Sequence, residues 1–159
     1  MMKKILSLAT AALLLAGSLI SCGGKTGGSS DTIKIGGVGP TTGGAASYGT
    51  SVKNGASLAV KEINDAGGVN GLKLELSFED DENDPEKAVN AYNKLKDSGM
   101  QILMGTVTST PCKAVKDNAH DDNMFLLTPS GSAVECTKYD NAFRICFNNP
   151  DQGTASARY

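Results

Sequence analysis

The sequence has 159 residues, which suits one domain with a hydrophobic core, and 40% of them are hydrophobic. Its formal net charge is -2, and without the N-terminal Lys3 and Lys4 the 15 basic residues become 13 against 17 acidic ones, a charge of -4. Such a chain does not attract a polyanion, so we do not expect nucleic acid as a partner.

The first 22 residues have the pattern of a secretory signal peptide. Two lysines precede an apolar stretch from Ile5 to Ile20, which is too short and wrongly flanked for a membrane-spanning helix. The stretch ends in LISC, which resembles the lipobox of bacterial lipoproteins, where Cys22 takes a diacylglyceryl group and becomes the mature N-terminus. The alternative is an ordinary signal peptide with an unrelated cysteine. Residues 23–31 are predicted to be a flexible Gly/Ser tether.

After the tether, short apolar strands are predicted to alternate with helices. The predicted strands are TIKIGGV (32–38), LKLELSFED (72–80), QILMG (101–105), MFLLT (124–128) and FRICF (143–147). Between them, apolar residues three and four positions apart predict three amphipathic helices. Gly67 and Gly68 should end the first helix, and Asp84 should cap the second.

This alternation of strand and helix builds a parallel sheet covered on both faces, with right-handed crossovers. The sequence therefore predicts a doubly wound α/β domain over residues 32–150. The last residues, NNPDQGTASARY, predict a loop and the first turns of a helix. We take this as a prediction that the chain is truncated.

Three cysteines follow the predicted signal peptide: Cys112, Cys136 and Cys146. Outside the cytoplasm one pair can be oxidised, and the sequence does not choose among the three pairings. None of them has CxxC spacing, so no zinc site is expected. The alternative is that all three are small buried hydrophobic residues.

Ligands of an open α/β sheet bind beyond the carboxyl ends of the strands. Four loops are candidates: GPTTGGAASY (39–48), DDENDP (80–85), GTVTSTP (105–111) and TPSGSAVE (128–135). The first lacks the third glycine of a dinucleotide fingerprint and has no P-loop lysine. The second, as a calcium loop, would have Pro85 and Ala91 where glycine and glutamate are needed. The sequence therefore predicts no cofactor and no metal.

The third and fourth loops carry short hydroxyl side chains next to predicted helix starts. Pro111 should begin a helix, which places the hydroxyls of residues 108–110 at its cap. Ser132 and Glu135 have the spacing of a capping box. Each loop could be only a cap, but together they offer neutral donors without lysine or arginine. Such a surface suits a single carboxylate, whereas a phosphate more often recruits a basic side chain.

Nothing in the sequence predicts an enzyme. The single histidine, His120, lies in the polar run AHDDN at the end of the third helix, opposite the predicted ligand edge. PSGSA lacks the first glycine of a nucleophile elbow, and no Ser-His-Asp order or metal cluster is present.

An ordered series of segments resembles a known family. GPTTGGAASYG, INDAGGVNG, DDENDPEKAV, the TSTP loop and TPSGS resemble the leucine/isoleucine/valine-type (branched-chain amino acid) periplasmic substrate-binding proteins of ABC importers, from about Ile33 to the end. The resemblance implies a type I periplasmic binding protein fold, with two α/β lobes that close around an amino acid. Residues 32–150 would be the N-terminal lobe, and residues 151–159 the truncated start of the crossover to the second.

The resemblance implies an extracytoplasmic solute-binding lipoprotein that captures a free amino acid, branched-chain or similar. It would deliver the amino acid to the membrane subunits of an ABC permease, while the lipid on Cys22 holds it at a bacterial membrane, in the periplasm or at the cell surface. The alternative is the ligand-binding domain of an extracellular amino-acid-sensing receptor, which would need a transmembrane segment and an output domain downstream.

The resemblance also implies which residues contact the ligand. Ser109 takes the place of the serine that binds the carboxylate, and Ser132 that of a residue bonding both carboxylate and ammonium. Ser130 would accept from the ammonium through its backbone carbonyl, with Gly131 between the two serines. Tyr48 matches an aromatic residue of the side-chain pocket. Serines at positions 130 and 132 favour a smaller or more polar ligand, so leucine itself is not implied.

Overall fold

The computed structural model describes residues 32–159. Its elements are, in chain order, β1 (Thr32–Gly39), α1 (Ala46–Asp65), β2 (Lys73–Asp80), α2 (Pro85–Asp97), β3 (Ile102–Gly105), α3 (Ser109–Asp121), β4 (Phe125–Thr128), a 3-10 helix (Val134–Thr137), β5 (Ala142–Arg144) and α4 (Asn149–Arg158). The predicted signal peptide, its Cys22 and the tether lie outside the described residues. Within residues 32–159, no helix has the length and apolarity needed to cross a membrane.

The five strands form one parallel sheet in the order β2-β1-β3-β4-β5. The chain passes from β1 to β2 on one side and then returns past β1 to β3 on the other. The prediction of a doubly wound parallel α/β sheet is therefore confirmed. The reversal creates a topological switch point between the carboxyl ends of β1 and β3, the usual ligand position in such sheets.

Helices α2 and α3 pack side by side on one face of the sheet. The core lies between them and the strands, where Tyr92, Leu103 and Leu126 are completely buried. The Tyr92 hydroxyl donates a 2.7 Å hydrogen bond to Asp122 Oδ2, so the one polar atom of this aromatic side chain is satisfied. Asp84 caps α2 as predicted, because its carboxylate accepts from the N–H groups of Glu86 and Lys87.

Among residues 32–159, the helix that packs on the opposite face is α1, which lies over β1 and β2. Over β4 and β5, Phe125 and Phe143 stack with their ring centroids 5.2 Å apart and remain 43% and 48% exposed. Within the part of the chain that the structure describes, the expected cover by helices on both faces is therefore met over β1 and β2 but not over β4 and β5. A helix about 10 Å wide covers roughly two strands spaced about 4.8 Å apart, so one helix cannot cover five.

Two element boundaries differ from the prediction by two residues or more. β5 ends at Arg144 instead of residue 147, because the chain leaves the sheet after Ile145, whose N–H donates to Thr128 O at 3.2 Å and whose side chain is 70% exposed. Helix α3 begins at Ser109, two residues before Pro111. Proline is tolerated there because N–H groups of the first turn have no intrahelical partner.

Candidate ligand-binding site

All five residues that the sequence assigns to the ligand lie at the carboxyl edge of the sheet. Tyr48 is in the first turn of α1, which follows β1, and Ser109 begins α3, which follows β3. Ser130, Gly131 and Ser132 follow β4, the neighbour of β3. Since β1, β3 and β4 are adjacent and parallel, the topology brings the three loops to one end of the domain.

The start of α3 and the loop after β4 are in direct contact. Ser109 Oγ accepts a 3.2 Å hydrogen bond from the N–H of Ala133, which leaves the Ser109 hydroxyl hydrogen free to donate. The N-cap residue, Thr108, makes no side-chain cap bond; its Oγ1 donates instead to Asn83 Oδ1 at 2.7 Å. The N–H groups of Ser109 and Thr110 therefore have no intrahelical partner and are available to an anion.

Hydroxyl groups fasten the loop after β4 to the end of β3. Thr128 is fully buried; its Oγ1 donates to Thr106 O at 2.8 Å and accepts from the Gly131 N–H at 3.0 Å. Ser130 Oγ donates to Val107 O at 2.6 Å. Because the hydroxyl hydrogen of Ser130 is occupied, this residue cannot donate it to a ligand, and its hydroxyl and carbonyl oxygens remain possible acceptors.

Ser132 is half-buried, and its two hydrogen-bond donors are available to a ligand. Its carbonyl accepts from the Asn149 N–H at 3.0 Å, but its own N–H and hydroxyl make no hydrogen bond within the described part of the chain. The predicted capping box with Glu135 is wrong. The 3-10 helix begins one residue later than the pattern requires, with Ala133 as its N-cap and no side-chain cap bond. Ser132 is therefore not engaged as a cap.

Arg144 is the residue of this region that the sequence analysis missed. Its guanidinium Nη1 donates to the carbonyls of Gly131 and Ala133, at 3.3 and 2.9 Å. These carbonyls flank Ser132, so the arginine fixes the backbone on both sides of that residue. Neither loop contains a basic residue, but this cation reaches the second loop from β5. Arg144 ends β5, whereas the predicted strand 143–147 placed it near the start of the strand, so the sequence spacing offered no signal for its role.

Tyr48 stands apart from the serines. Its side chain is 63% exposed, and within residues 32–159 no hydrogen bond or ring contact joins it to the other four predicted residues. Tyr48 lies on the other side of the switch point from Ser109. Although β1 pairs with β3, α1 packs on one face of the sheet and α3 on the other. Its role in a side-chain pocket stays a prediction.

The acidic turn after β2 holds the loop after β1 in place at the carboxyl edge of the sheet. Asp80 accepts from the N–H of Thr41 at 2.8 Å and from Thr42 Oγ1 at 2.6 Å, which holds the loop after β1. Burial alone would raise the pKa of Asp80, but these bonds and one from the Glu82 N–H outweigh it and lower the pKa to about 2. In the described residues, no group of three or more His, Cys, Asp or Glu side chains is arranged to hold a metal ion.

Asp81 and His120 do not point to catalysis. Asp81 is completely buried with one carboxylate oxygen unpartnered within the described residues, and this burial raises its pKa. Its other oxygen accepts from the Asn83 N–H at 2.8 Å. His120 is exposed at the end of α3 and stacks on Tyr139, with ring centroids 4.0 Å apart. Neither residue contacts the predicted serines.

The sequence matches the family described as "Periplasmic binding protein" over residues 32–159. It is 38% identical over 129 residues to the Leu/Ile/Val-binding protein BraC3 of Rhizobium johnstonii, covering 80% of this chain and 35% of that one. Against the leucine-, isoleucine-, valine-, threonine- and alanine-binding protein of Pseudomonas aeruginosa it is 38% identical, covering 81% and 35%. The chain thus spans about a third of the length of the curated relatives it matches.

Solved structures show the same fold. The branched-chain amino acid transporter substrate-binding protein LivJ of Streptococcus pneumoniae, solved with isoleucine, is 33% identical with a TM-score of 0.69, covering 74% of this chain and 34% of that one. An ABC transporter substrate-binding protein from Desulfitobacterium hafniense, in complex with Leu, is 28% identical with a TM-score of 0.71, covering 80% and 38%.

The predicted family and fold are confirmed by these likenesses. The names of the family and of these relatives are those of binding proteins, which confirms the prediction that the chain is not an enzyme. The chain belongs to the periplasmic binding protein family, and its relatives include the Leu/Ile/Val-binding proteins of bacteria.

Proposed function

We propose that the chain is the N-terminal lobe of an extracytoplasmic solute-binding lipoprotein, which captures an amino acid and delivers it to the membrane subunits of an ABC importer. The observation that carries this proposal is the contact between the start of α3 and the loop after β4. There the Ser109 hydroxyl and the free donors of Ser132 lie on two joined backbone segments. Two relatives bind isoleucine or leucine in their solved structures, so we propose a branched-chain or similar amino acid as ligand.

The ligand carboxylate would lie between α3 and the loop after β4. It would accept from the hydroxyl of Ser109, the unpaired N–H groups of the first turn of α3 and the donors of Ser132. Each charge-assisted hydrogen bond contributes about 1.5–3 kcal/mol, and a helix N-terminus contributes roughly 0.3–1 kcal/mol, up to ~2 kcal/mol when partly buried. The carbonyl of Ser130 would accept from the ammonium group, and Tyr48 would contact the apolar side chain.

A second lobe would complete the site. The matched relatives are about three times as long as the part that this chain matches. We propose that residues 32–150 form the first lobe and that residues 151–159, in α4, begin the crossover to the second. The Ser130 carbonyl alone does not neutralise an ammonium group, so an acidic partner on the second lobe is expected.

Ligand analogues test this proposal most sharply in the full-length protein. Calorimetry should detect binding of leucine, isoleucine, valine or a smaller amino acid such as alanine or threonine. The matching amine, which lacks the carboxylate, and the matching acid, which lacks the ammonium, should both bind far more weakly. An amine that binds as tightly as its amino acid would contradict the proposed carboxylate site.

The lipid anchor is tested separately. Cells expressing the full-length protein and fed a radiolabelled fatty acid should incorporate the label into the wild type and not into Cys22→Ala. Cys146 is only half-buried, so Cys146→Ala is the matched control and should retain the label. Labelling of Cys22→Ala would overturn the assignment of Cys22 as the lipidated residue.

A further inference from the structure

Two of the three cysteines form a buried pair directly beneath the proposed ligand site. Cys112 is the fourth residue of α3 and Cys136 the third residue of the 3-10 helix, and neither exposes any surface. The Cys136 thiol donates to the carbonyl oxygen of Ser109, in the first turn of α3 that also carries Cys112, so the two buried thiols are neighbours. Cys146 is only half-buried and makes no hydrogen bond to either of them within residues 32–159.

The sulfur atom of Cys136 packs against both halves of the site. It lies 3.9 Å from the carbonyl oxygen of Ser109, and a Cβ placed on Gly131 would be 3.2 Å from it. The pair therefore sits where α3, the loop after β4 and the 3-10 helix meet. Of the three pairings that the sequence leaves open, this is the one whose two members are both fully buried where α3 and the 3-10 helix meet.

The surroundings make the two thiols chemically unequal. The neighbouring Cys136 thiol lowers the pKa of Cys112 despite burial, with further help from the hydroxyls of Thr106 and Thr128 and the charge of Arg144. The start of a helix also favours a thiolate. The neighbouring Cys112, together with burial, raises the pKa of Cys136.

We propose that Cys112 and Cys136 form a disulfide bond in the secreted protein, which fastens the start of α3, with Ser109, to the 3-10 helix that follows Ser132. This inference rests on the extracytoplasmic location in the proposed function, because disulfides form and persist in oxidising compartments. The bond would hold together the two backbone segments that bind the carboxylate, and so would preorganise the site before the ligand arrives.

The reaction is a thiol–disulfide exchange with an external disulfide, such as that of an oxidoreductase or of glutathione. One of the two cysteines loses its proton and attacks one sulfur of that disulfide as a thiolate; this forms a mixed disulfide and releases the first external thiolate, which takes up a proton. The other cysteine then loses its proton and attacks the sulfur of the first, which releases the second external thiolate. The two cysteines lose two electrons and the external disulfide gains them. Because both sulfurs are buried in the folded domain, the exchange belongs to folding, before the loop after β4 closes.

Mass spectrometry of the full-length protein, purified from its extracytoplasmic location, tests the bond. Free thiols are blocked with iodoacetamide in denaturant, without reduction, before proteolysis. The peptides that contain Cys112 and Cys136 should be recovered linked, two hydrogen atoms lighter than the sum of the separate thiol peptides, while Cys146 should carry the label. Recovery of Cys112 and Cys136 both labelled, even after refolding with glutathione disulfide, would overturn the proposal.

Stability provides a second readout that does not depend on ligand binding. Dithiothreitol should lower the urea midpoint of the wild type and of the matched control Cys146→Ala. It should not change the midpoint of the double variant Cys112→Ala, Cys136→Ala. An equal effect of the reductant on all three proteins would contradict the pairing. A linked peptide in a protein that binds no amino acid would refute the proposed function and leave the disulfide standing.

Discussion

Ser109 and Ala133, which follow different strands, are joined by a 3.2 Å hydrogen bond from the Ala133 N–H to the Ser109 Oγ. The bond places the start of α3 against the loop that carries Ser132. It also sets the direction in which the Ser109 hydroxyl can donate, since one of its acceptor positions is already taken. Two neighbouring strand ends therefore present neutral donors to one location, with Arg144 bonded to the carbonyls of the same loop.

Gly131→Ala should disrupt this loop. The added Cβ would lie 2.6 Å from Thr128 Oγ1, which is fully buried and holds two hydrogen bonds. We expect a loss of about 1–3 kcal/mol in the free energy of unfolding, measured with urea, together with weaker ligand binding. Gly55→Ala is the matched control. Outside the backbone of its own helix, no neighbouring atom lies within 4 Å of the new Cβ of Gly55→Ala. Because the position is inside α1, the substitution should stabilise the protein by up to about 1 kcal/mol. Equal effects of the two substitutions would refute the packing argument.

Arg144→Met should weaken ligand binding, because the two carbonyls that flank Ser132 lose their charged donor. A hydrogen bond to a charged group is worth about 1.5–3 kcal/mol, so we expect at least a tenfold loss of affinity in calorimetry. Arg144→Lys keeps the charge but cannot bond two carbonyls with the same geometry, so it should recover part of the lost affinity. The exposed Lys138→Met is the control and should bind normally. Full affinity in Arg144→Met would show that the arginine does not position the loop.

Asp80 and Asp81 should show opposite pH effects on stability. Burial raises the pKa of Asp81 above 3.8, so the folded protein binds this proton more tightly than the unfolded chain. Its contribution to stability therefore falls as pH rises through the raised pKa. Asp81→Asn should accordingly gain stability relative to the wild type as pH rises from about 4 to about 7.

Asp80→Asn is the control of opposite sign. Hydrogen bonds lower the pKa of Asp80 to about 2, so its contribution is present above 3.8 and is lost as pH falls through about 2. Asp80→Asn should lose stability relative to the wild type as pH rises from about 2 to 3.8. Urea unfolding at several pH values measures both differences. A shared sign for the two variants would contradict the assigned environments.

The described lobe alone should bind its ligand poorly. Micromolar affinity requires about -8.2 kcal/mol, and one lobe supplies only part of the contacts while incurring much of the ordering cost. We expect millimolar dissociation constants or weaker for residues 32–159, measured by NMR titration, against far tighter binding by the full-length protein. Micromolar binding by the lobe alone would contradict the two-lobe site.

The fold could be predicted from sequence because strand and helix alternate with clear apolar spacing and clear end signals, such as Asp84 and Gly67. The same pattern predicted that the loops of the proposed ligand site meet at one edge of the sheet, and they do. The capping box failed because Ser132 and Glu135 satisfy a local rule, while the loop is held by distant residues, Ser109 and Arg144. The role of Arg144 depends on the pairing of β4 with β5, and sequence spacing does not show that register.

Calorimetry of Ser109→Ala and Ser132→Ala in the full-length protein tests the central claim most directly. Each substitution should weaken amino-acid binding by about 1–3 kcal/mol, because each removes a donor to the ligand carboxylate. Ser57→Ala, on the exposed side of α1, is the matched control and should leave the affinity unchanged. If both site variants bind the amino acid as tightly as Ser57→Ala does, the carboxylate site between α3 and the loop after β4 does not exist.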